Sequence, residues 1–174
     1  MYIRIKKRKN NSGNTYEYAY LVSSKYRKKH PKQKVKRYLG RVFTFKAQSE
    51  GVPVELELQG KKAKAVILAL ITHELEKHGF HTTKKNLFEN EQFIVNLNER
   101  SVIDKNTKKP VCMALNEGIL CDYTLRKLID FKPPEAIEKE IGKRLAKRFV
   151  ESGITIPKDQ FVELFKKIMA ESKQ

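Results

Sequence analysis

Arg4, Lys6 and Arg8 stand two residues apart near the start of the chain, and so do Tyr16, Tyr18 and Tyr20 a little further on. Cations grip phosphate oxygens, and phenol rings pack on flat bases and sugars. The chemistry these two trios offer is therefore capture of a polyanion, not bond breaking. Their spacing calls for a β-hairpin, because side chains two apart on a strand share a face. Asn10-Asn11-Ser12-Gly13-Asn14, between the trios, supplies residues that tolerate positive φ and make turns. A turn centred on Ser12 sets Arg4 against Tyr20, Lys6 against Tyr18 and Arg8 against Tyr16. On the other face Ile3 meets Leu21, Ile5 meets Ala19, and Lys7 meets Glu17 as an ion pair. A slip of one residue would mix the two faces.

The charge follows the same pattern. Net charge is +17 over 174 residues, but residues 1–50 hold 15 Lys and Arg against 2 carboxylates. A field so one-sided exceeds what solubility asks of an edge ribbon and favours a polyanionic partner. Arg27, Lys28 and Lys29 fall in a basic loop from Ser23 to Lys34, stiffened by Pro31. A third strand is expected from Val35 to Phe45, carrying Lys36, Arg37 and Arg41, with Gly40 marking a bulge or a close approach. Lys34 closes the loop. Flexible Lys and Arg side chains of this kind hold backbone phosphate without reading sequence.

Other chemistry finds little support. His73 and His78 flank a helical stretch, but five residues of spacing turn them about 140° apart on an α-helix. A zinc site needs them four apart on one face, so helix-end and surface roles are expected instead. Cys112 and Cys121 lie nine apart with no second pair and read as buried small hydrophobes. No phosphate-binding glycine loop or nucleophile elbow is present, and the basic region lacks carboxylates to hold magnesium. No enzyme activity, cofactor or metal is expected, and a nuclease built on the middle region's acidic residues is the weakest reading. The longest apolar run, Ala65 to Ile71, is too short to span a bilayer, and the first residues do not resemble a signal peptide. An intracellular, cytoplasmic protein is expected, with no membrane partner.

Ile3-Arg4, the run from Tyr16 to Val22, and Val35-Lys36-Arg37-Tyr38-Leu39-Gly40-Arg41 together resemble the start of several insertion-sequence transposases and of uncharacterised archaeal proteins. In architecture, three strands with a cationic face are also similar to the small β-sheet DNA-binding arms of some integrases. The resemblance covers about a quarter of the chain. It implies a DNA-binding arm and not the catalytic domain of a transposase, for which the remaining chain has no room.

An α+β fold has to position these residues. The expected parts are an N-terminal antiparallel sheet of three or more strands, a central buried helix, a second β-hairpin and C-terminal helices. Residues 1–46 would form the basic arm, 47–131 a mixed core and 132–174 a helical hairpin. Val52 to Leu58 alternates like a strand, and the buried helix runs from Lys61 to His78 before Gly79. Strands are expected at Phe93–Leu97, Ser101–Asp104 and Val111–Leu115, the last two joined as the second hairpin across the basic turn Lys105–Pro110. Asp122 would cap a short helix, and Pro133-Pro134 would open another with Ile137, Ile141, Leu145 and Phe149 on its buried face. Gly153 closes that helix and Pro157 opens the last.

The function expected from all this is non-enzymatic nucleic-acid binding, with duplex DNA slightly favoured over structured RNA. The alternatives are a ribosome- or ribosomal-RNA-associated factor, or an interaction module whose C-terminal helices form a homodimer or bind a protein partner.

Overall fold

The structure, a computed structural model, describes residues 1–27, 30–48 and 60–172. The opening alternation folds as the hairpin it predicts. Strand β1 (Tyr2–Lys9) runs antiparallel to β2 (Thr15–Arg27), with Ile3 facing Leu21, Arg4 facing Tyr20 and Lys7 facing Glu17. Asn10 builds the turn: its side-chain oxygen accepts from the Asn14 N–H at 2.8 Å and its carbonyl from the Gly13 N–H at 3.0 Å.

Strand β3 (His30–Thr44) pairs with β2 and begins earlier than the alternation suggests. Within the stretch expected as a basic loop, residues 23–27 and 30–34 are instead paired backbone, with Ser23 opposite Lys34 and Arg27 opposite His30. Each strand satisfies the other's N–H and C=O groups there, which a loop would leave to water. Gly40 fulfils both of its expected roles. The register shifts beside its partner Ala19, and a Cβ at Gly40 would come within 2.6 Å of the Pro110 carbonyl oxygen.

Helix α1 (Ala63–Lys77) follows, and its apolar length buries Val66, Ile67, Leu70, Ile71 and Leu75. Four short strands then make an antiparallel meander: β4 (His81–Lys84), β5 (Leu87–Glu89), β6 (Phe93–Asn96) and β7 (Ser101–Asp104). The next two, β8 (Val111–Leu115) and β9 (Gly118–Leu120), pair with each other and join the N-terminal sheet, whose order is β1-β2-β3-β8-β9. The hairpin expected between Ser101–Asp104 and Val111–Leu115 is therefore not made; β7 is joined only by an isolated bridge from Ile103 to Pro110, the residue before β8. The Asp104 carboxylate accepts from the Asn106 and Thr107 N–H groups at 2.9 and 2.8 Å and curls the chain. Val111 leaves that turn to lie parallel to β3, Arg41 beside Val111 and Phe43 beside Met113. The first sheet thus runs across the boundary expected near residue 46. The strand expected at Val52–Leu58 lies outside the described residues.

Helices α2 (Asp122–Ile129), α3 (Glu138–Ser152) and α4 (Lys158–Glu171) complete the chain. Cys121, not Asp122, is the N-cap of α2, and α3 starts at Glu138 rather than at the prolines. Ile141, Leu145 and Phe149 are buried as the four-residue spacing predicts, but Ile137 is 70% exposed because it precedes the first turn. Strand β8 is buried on both sides. Met113 joins the main core with α1, the meander and the C-terminal helices, and Cys112 joins a smaller core under β2 and β3.

Candidate nucleic-acid interface

The face of the first sheet opposite that smaller core carries Arg4, Lys6, Arg8, Tyr16, Tyr18 and Tyr20 together. The cations do not sit on the rings directly across from them. Lys6 Nζ lies 5.3 Å from the centre of the Tyr20 ring, and the Arg8 guanidinium lies 6.0 Å from that of Tyr18, each one step along the strand. Strand twist brings diagonal neighbours within reach of long side chains in this way. Tyr16 is covered from the far side by Arg41, 4.0 Å from its ring centre. The three rings are half-buried, so they form a wall that fixes where the charges stand.

Tyr38, which composition alone does not single out, completes the wall. It faces Tyr20 across the strands, its ring centre is 5.4 Å from that of Tyr20 and 6.3 Å from that of Tyr18, and it is 48% exposed. Partial burial raises its phenol above the ordinary value, and Tyr18 and Tyr20 add to the effect, so it stays neutral and can donate a hydrogen bond. Gln33 ties the outer edge: its amide nitrogen donates to the Tyr2 hydroxyl at 2.6 Å, and its amide oxygen accepts from Arg4. Tyr2 continues the two-residue spacing of Arg4, Lys6 and Arg8, whereas Gln33 carries no pattern that would have marked it.

Arg37 departs from the group. It pairs with Leu21 on the opposite face, and its guanidinium bonds Asp122 at 3.1 Å, strapping the sheet to the start of α2. Lys34 and Lys36 are exposed. Lys34 stands opposite Ser23, on the Leu21 side of the ribbon. Beyond Tyr2 and Val22, where β1 runs out, β2 and β3 continue for five more residue pairs as a two-stranded ribbon. At about 3.3 Å per residue that ribbon projects roughly 17 Å. Arg27 belongs to it; Lys28 and Lys29 lie outside the described residues.

Compared with protein-family models, curated proteins and solved structures, the chain has no match. Its functional reading rests on its own geometry.

Two other clusters bear on chemistry. Glu74 is fully buried on α1; its carboxylate accepts from the Asn116 side chain at 2.9 Å, from the Thr155 N–H at 3.1 Å and from the Thr155 hydroxyl. Burial alone would raise its pKa, but the hydrogen bonds from Thr155 and Asn116 outweigh burial and hold it below the ordinary value. His78 is a helix-end residue as expected, the C-cap of α1, but it turns inward and is buried, its Nδ1 3.4 Å from Glu74. The second cluster is Cys112 and Cys121, nine apart in sequence yet neighbours in the smaller core, both fully buried. A hydrogen bond between the thiols, followed by burial, pushes Cys112 up, and the same bond lowers Cys121. Among the described residues no group of three His, Cys, Asp or Glu could hold a metal ion, and no helix is long and apolar enough to cross a membrane.

Proposed function

We propose that this protein binds duplex nucleic acid without acting on it chemically, with the Arg4, Lys6, Arg8 and Arg41 face resting on one phosphate row. One observation carries the reading: cations held in fixed positions by a tyrosine wall, on a sheet from which a basic ribbon projects. No carboxylate occurs between Glu17 and Glu50, so nothing along the ribbon neutralises it. A two-stranded ribbon fits the major groove of B-form DNA, which is about 12 Å wide. Lys34 on one side of the ribbon and the Arg4 face on the other suit a groove with phosphates on both flanks. The deep, narrow major groove of A-form RNA admits such a ribbon poorly, which favours DNA.

Fluorescence anisotropy with a 20-base-pair DNA duplex, a structured RNA and a single strand of equal length, at several salt concentrations, tests this. Duplex DNA should bind tightest, with a log–log salt slope of about −0.9 for each phosphate engaged. Binding that is weak and indifferent to salt would end the proposal, and a preference for structured RNA would move it to the ribosomal alternative.

A second reading is favoured by Ile137, Val150 and Val162, apolar and exposed at the C-terminal helices. They would serve a homodimer or a protein partner. Light scattering on wild type and Val150→Lys/Val162→Lys distinguishes a dimer from a monomer without disturbing buried positions.

A further inference from the structure

The second concentration of positive charge lies away from the tyrosine face, where α2 and α3 meet. An open cleft of about 380 Å³ there is lined by Arg126, Lys127, Lys132, Arg144 and Arg148, with Asp130 the one carboxylate among its lining residues. Three of these six are already engaged. Asp130 bonds Arg100 at 2.6 Å, Arg148 bonds Glu151 at 2.9 Å, and Lys127 lies over the Tyr123 ring at 4.6 Å. Arg126, Lys132 and Arg144 remain exposed, and among the described residues they make no ion pair.

Part of this charge has a local explanation. Arg126 and Lys127 occupy the last turn of α2, where the helix dipole favours cations. That argument does not reach Arg144, which belongs to the middle of α3, or Lys132, on the link between the helices. Arg144 and Arg148 stand four apart on one helix face, an arrangement of like charges that costs helix stability. Other cations of α3 stand beside carboxylates, Lys143 with Glu140 and both Lys147 and Arg148 with Glu151. Arg144 has no such partner among the described residues.

We propose that this cleft is a phosphate-binding site in which Arg126, Lys132 and Arg144 converge on one multiply charged phosphate group. Two guanidinium forks and an ammonium from three separate elements match such a group, because arginine can present two N–H donors to two phosphate oxygens at once. Phe131 and Pro134 line the same cleft and give it an apolar floor. The phosphate could belong to a nucleic-acid backbone or to a free phosphorylated molecule, and the recognition chemistry is the same. The proposal does not depend on the tyrosine face binding anything.

The test uses the full chain with two double variants, Arg126→Gln/Arg144→Gln in the cleft and Arg4→Gln/Arg8→Gln on the sheet. All four side chains are exposed, so both variants should fold. Thermal unfolding is followed with sodium tripolyphosphate against sodium chloride of equal ionic strength, and binding of a 40-base-pair duplex is followed by anisotropy. A rise in Tm with tripolyphosphate that is lost in the cleft variant and kept in the sheet variant establishes a site for free phosphate. No rise in wild type, together with a duplex salt slope about 2 units shallower in the cleft variant, establishes a backbone contact there. If the cleft variant matches wild type in both measurements, the proposal is overturned. A salt slope lost only in the sheet variant, together with no rise in Tm with tripolyphosphate in wild type, would also overturn it while leaving the tyrosine face intact.

Discussion

The guanidinium of Arg41 lies 4.0 Å from the centre of the Tyr16 ring and 4.8 Å from that of Phe43. Phe43 in turn stacks at a tilt on Phe93, 4.7 Å between centres, inside the main core. One side chain therefore joins the exposed tyrosine wall to the packed interior. Arg41→Ala should lower stability by about 0.5–1 kcal/mol, the usual worth of a partly exposed cation–π contact. It should also weaken duplex binding, whereas Arg41→Lys should keep charge and lose part of the stacking. Urea unfolding and anisotropy on the same samples check both effects.

Changing Arg4, Lys6 and Arg8 to Gln one at a time should each reduce the salt slope of duplex binding by about 0.9 and leave the order of preference among DNA sequences unchanged. The same change at Arg37 should leave the slope nearly alone, since that guanidinium is tied to Asp122. Its loss should appear in stability instead, at under about 1 kcal/mol for so exposed a pair.

Glu74 makes stability depend on pH in a set direction. Its folded pKa is below the unfolded one, so its contribution is complete above the ordinary glutamate value of about 4.3 and fades as pH falls through the folded value. Glu74→Gln should flatten the acid limb of a plot of urea midpoint against pH. Glu74→Ala, which takes the acceptor from the Thr155 N–H and hydroxyl and leaves a cavity, should cost about 3 kcal/mol or more at neutral pH.

Gly118 and Gly142 should respond to alanine with opposite signs. A Cβ at Gly118 would stand 2.1 Å from the Gly153 nitrogen and 2.2 Å from the Val150 carbonyl oxygen, both backbone atoms that cannot step aside. Gly118→Ala should cost at least about 1–3 kcal/mol. At Gly142, inside α3, the added methyl would meet the Phe165 ring at an ordinary 3.7 Å. Gly142→Ala should gain about 0.5–1 kcal/mol from helix propensity. Chemical denaturation of the two variants reads the difference.

Cys112 and Cys121 should resist thiol reagents in the folded protein and react together on unfolding, because both are fully buried. Labelling with a chromogenic disulfide across a urea titration should follow the global transition. Reaction of one thiol well before that transition would contradict the packing described for them.

The sequence carries the hairpin legibly because two periodicities of two, separated by one turn, admit a single register that keeps charge and hydrocarbon apart. Ile3 opposite Leu21 and Lys7 opposite Glu17 follow from that alone. The diagonal seating of Lys6 and Arg8 does not, since it arises from twist, which a residue pattern does not express. Strand β8 was legible as a strand, but its partner was not. Val111 to Leu115 reads equally well beside Ser101–Asp104, and only the Asp104-centred turn and the close approach at Gly40 send it to β3. Tyr38 and Gln33 became visible only once the bulge at Gly40 had set which way β3 turns its side chains. The union of Glu74 with Asn116 and Thr155 spans α1, the turn before β9 and the link before α4, and no local pattern brings such distant positions together.

The parallel pairing of Arg41 with Val111 sets an order on events during synthesis. The N-terminal strands leave the translating machinery long before β8 exists, and parallel pairing over so long a loop is slow to close. Until then the nascent arm displays Ala19, Leu21 and Leu39, later sealed by Cys112 and Cys121, as a bare greasy underside. A fragment cut at residue 46 would be left in that state, so the N-terminal strands have to be assayed with the body attached.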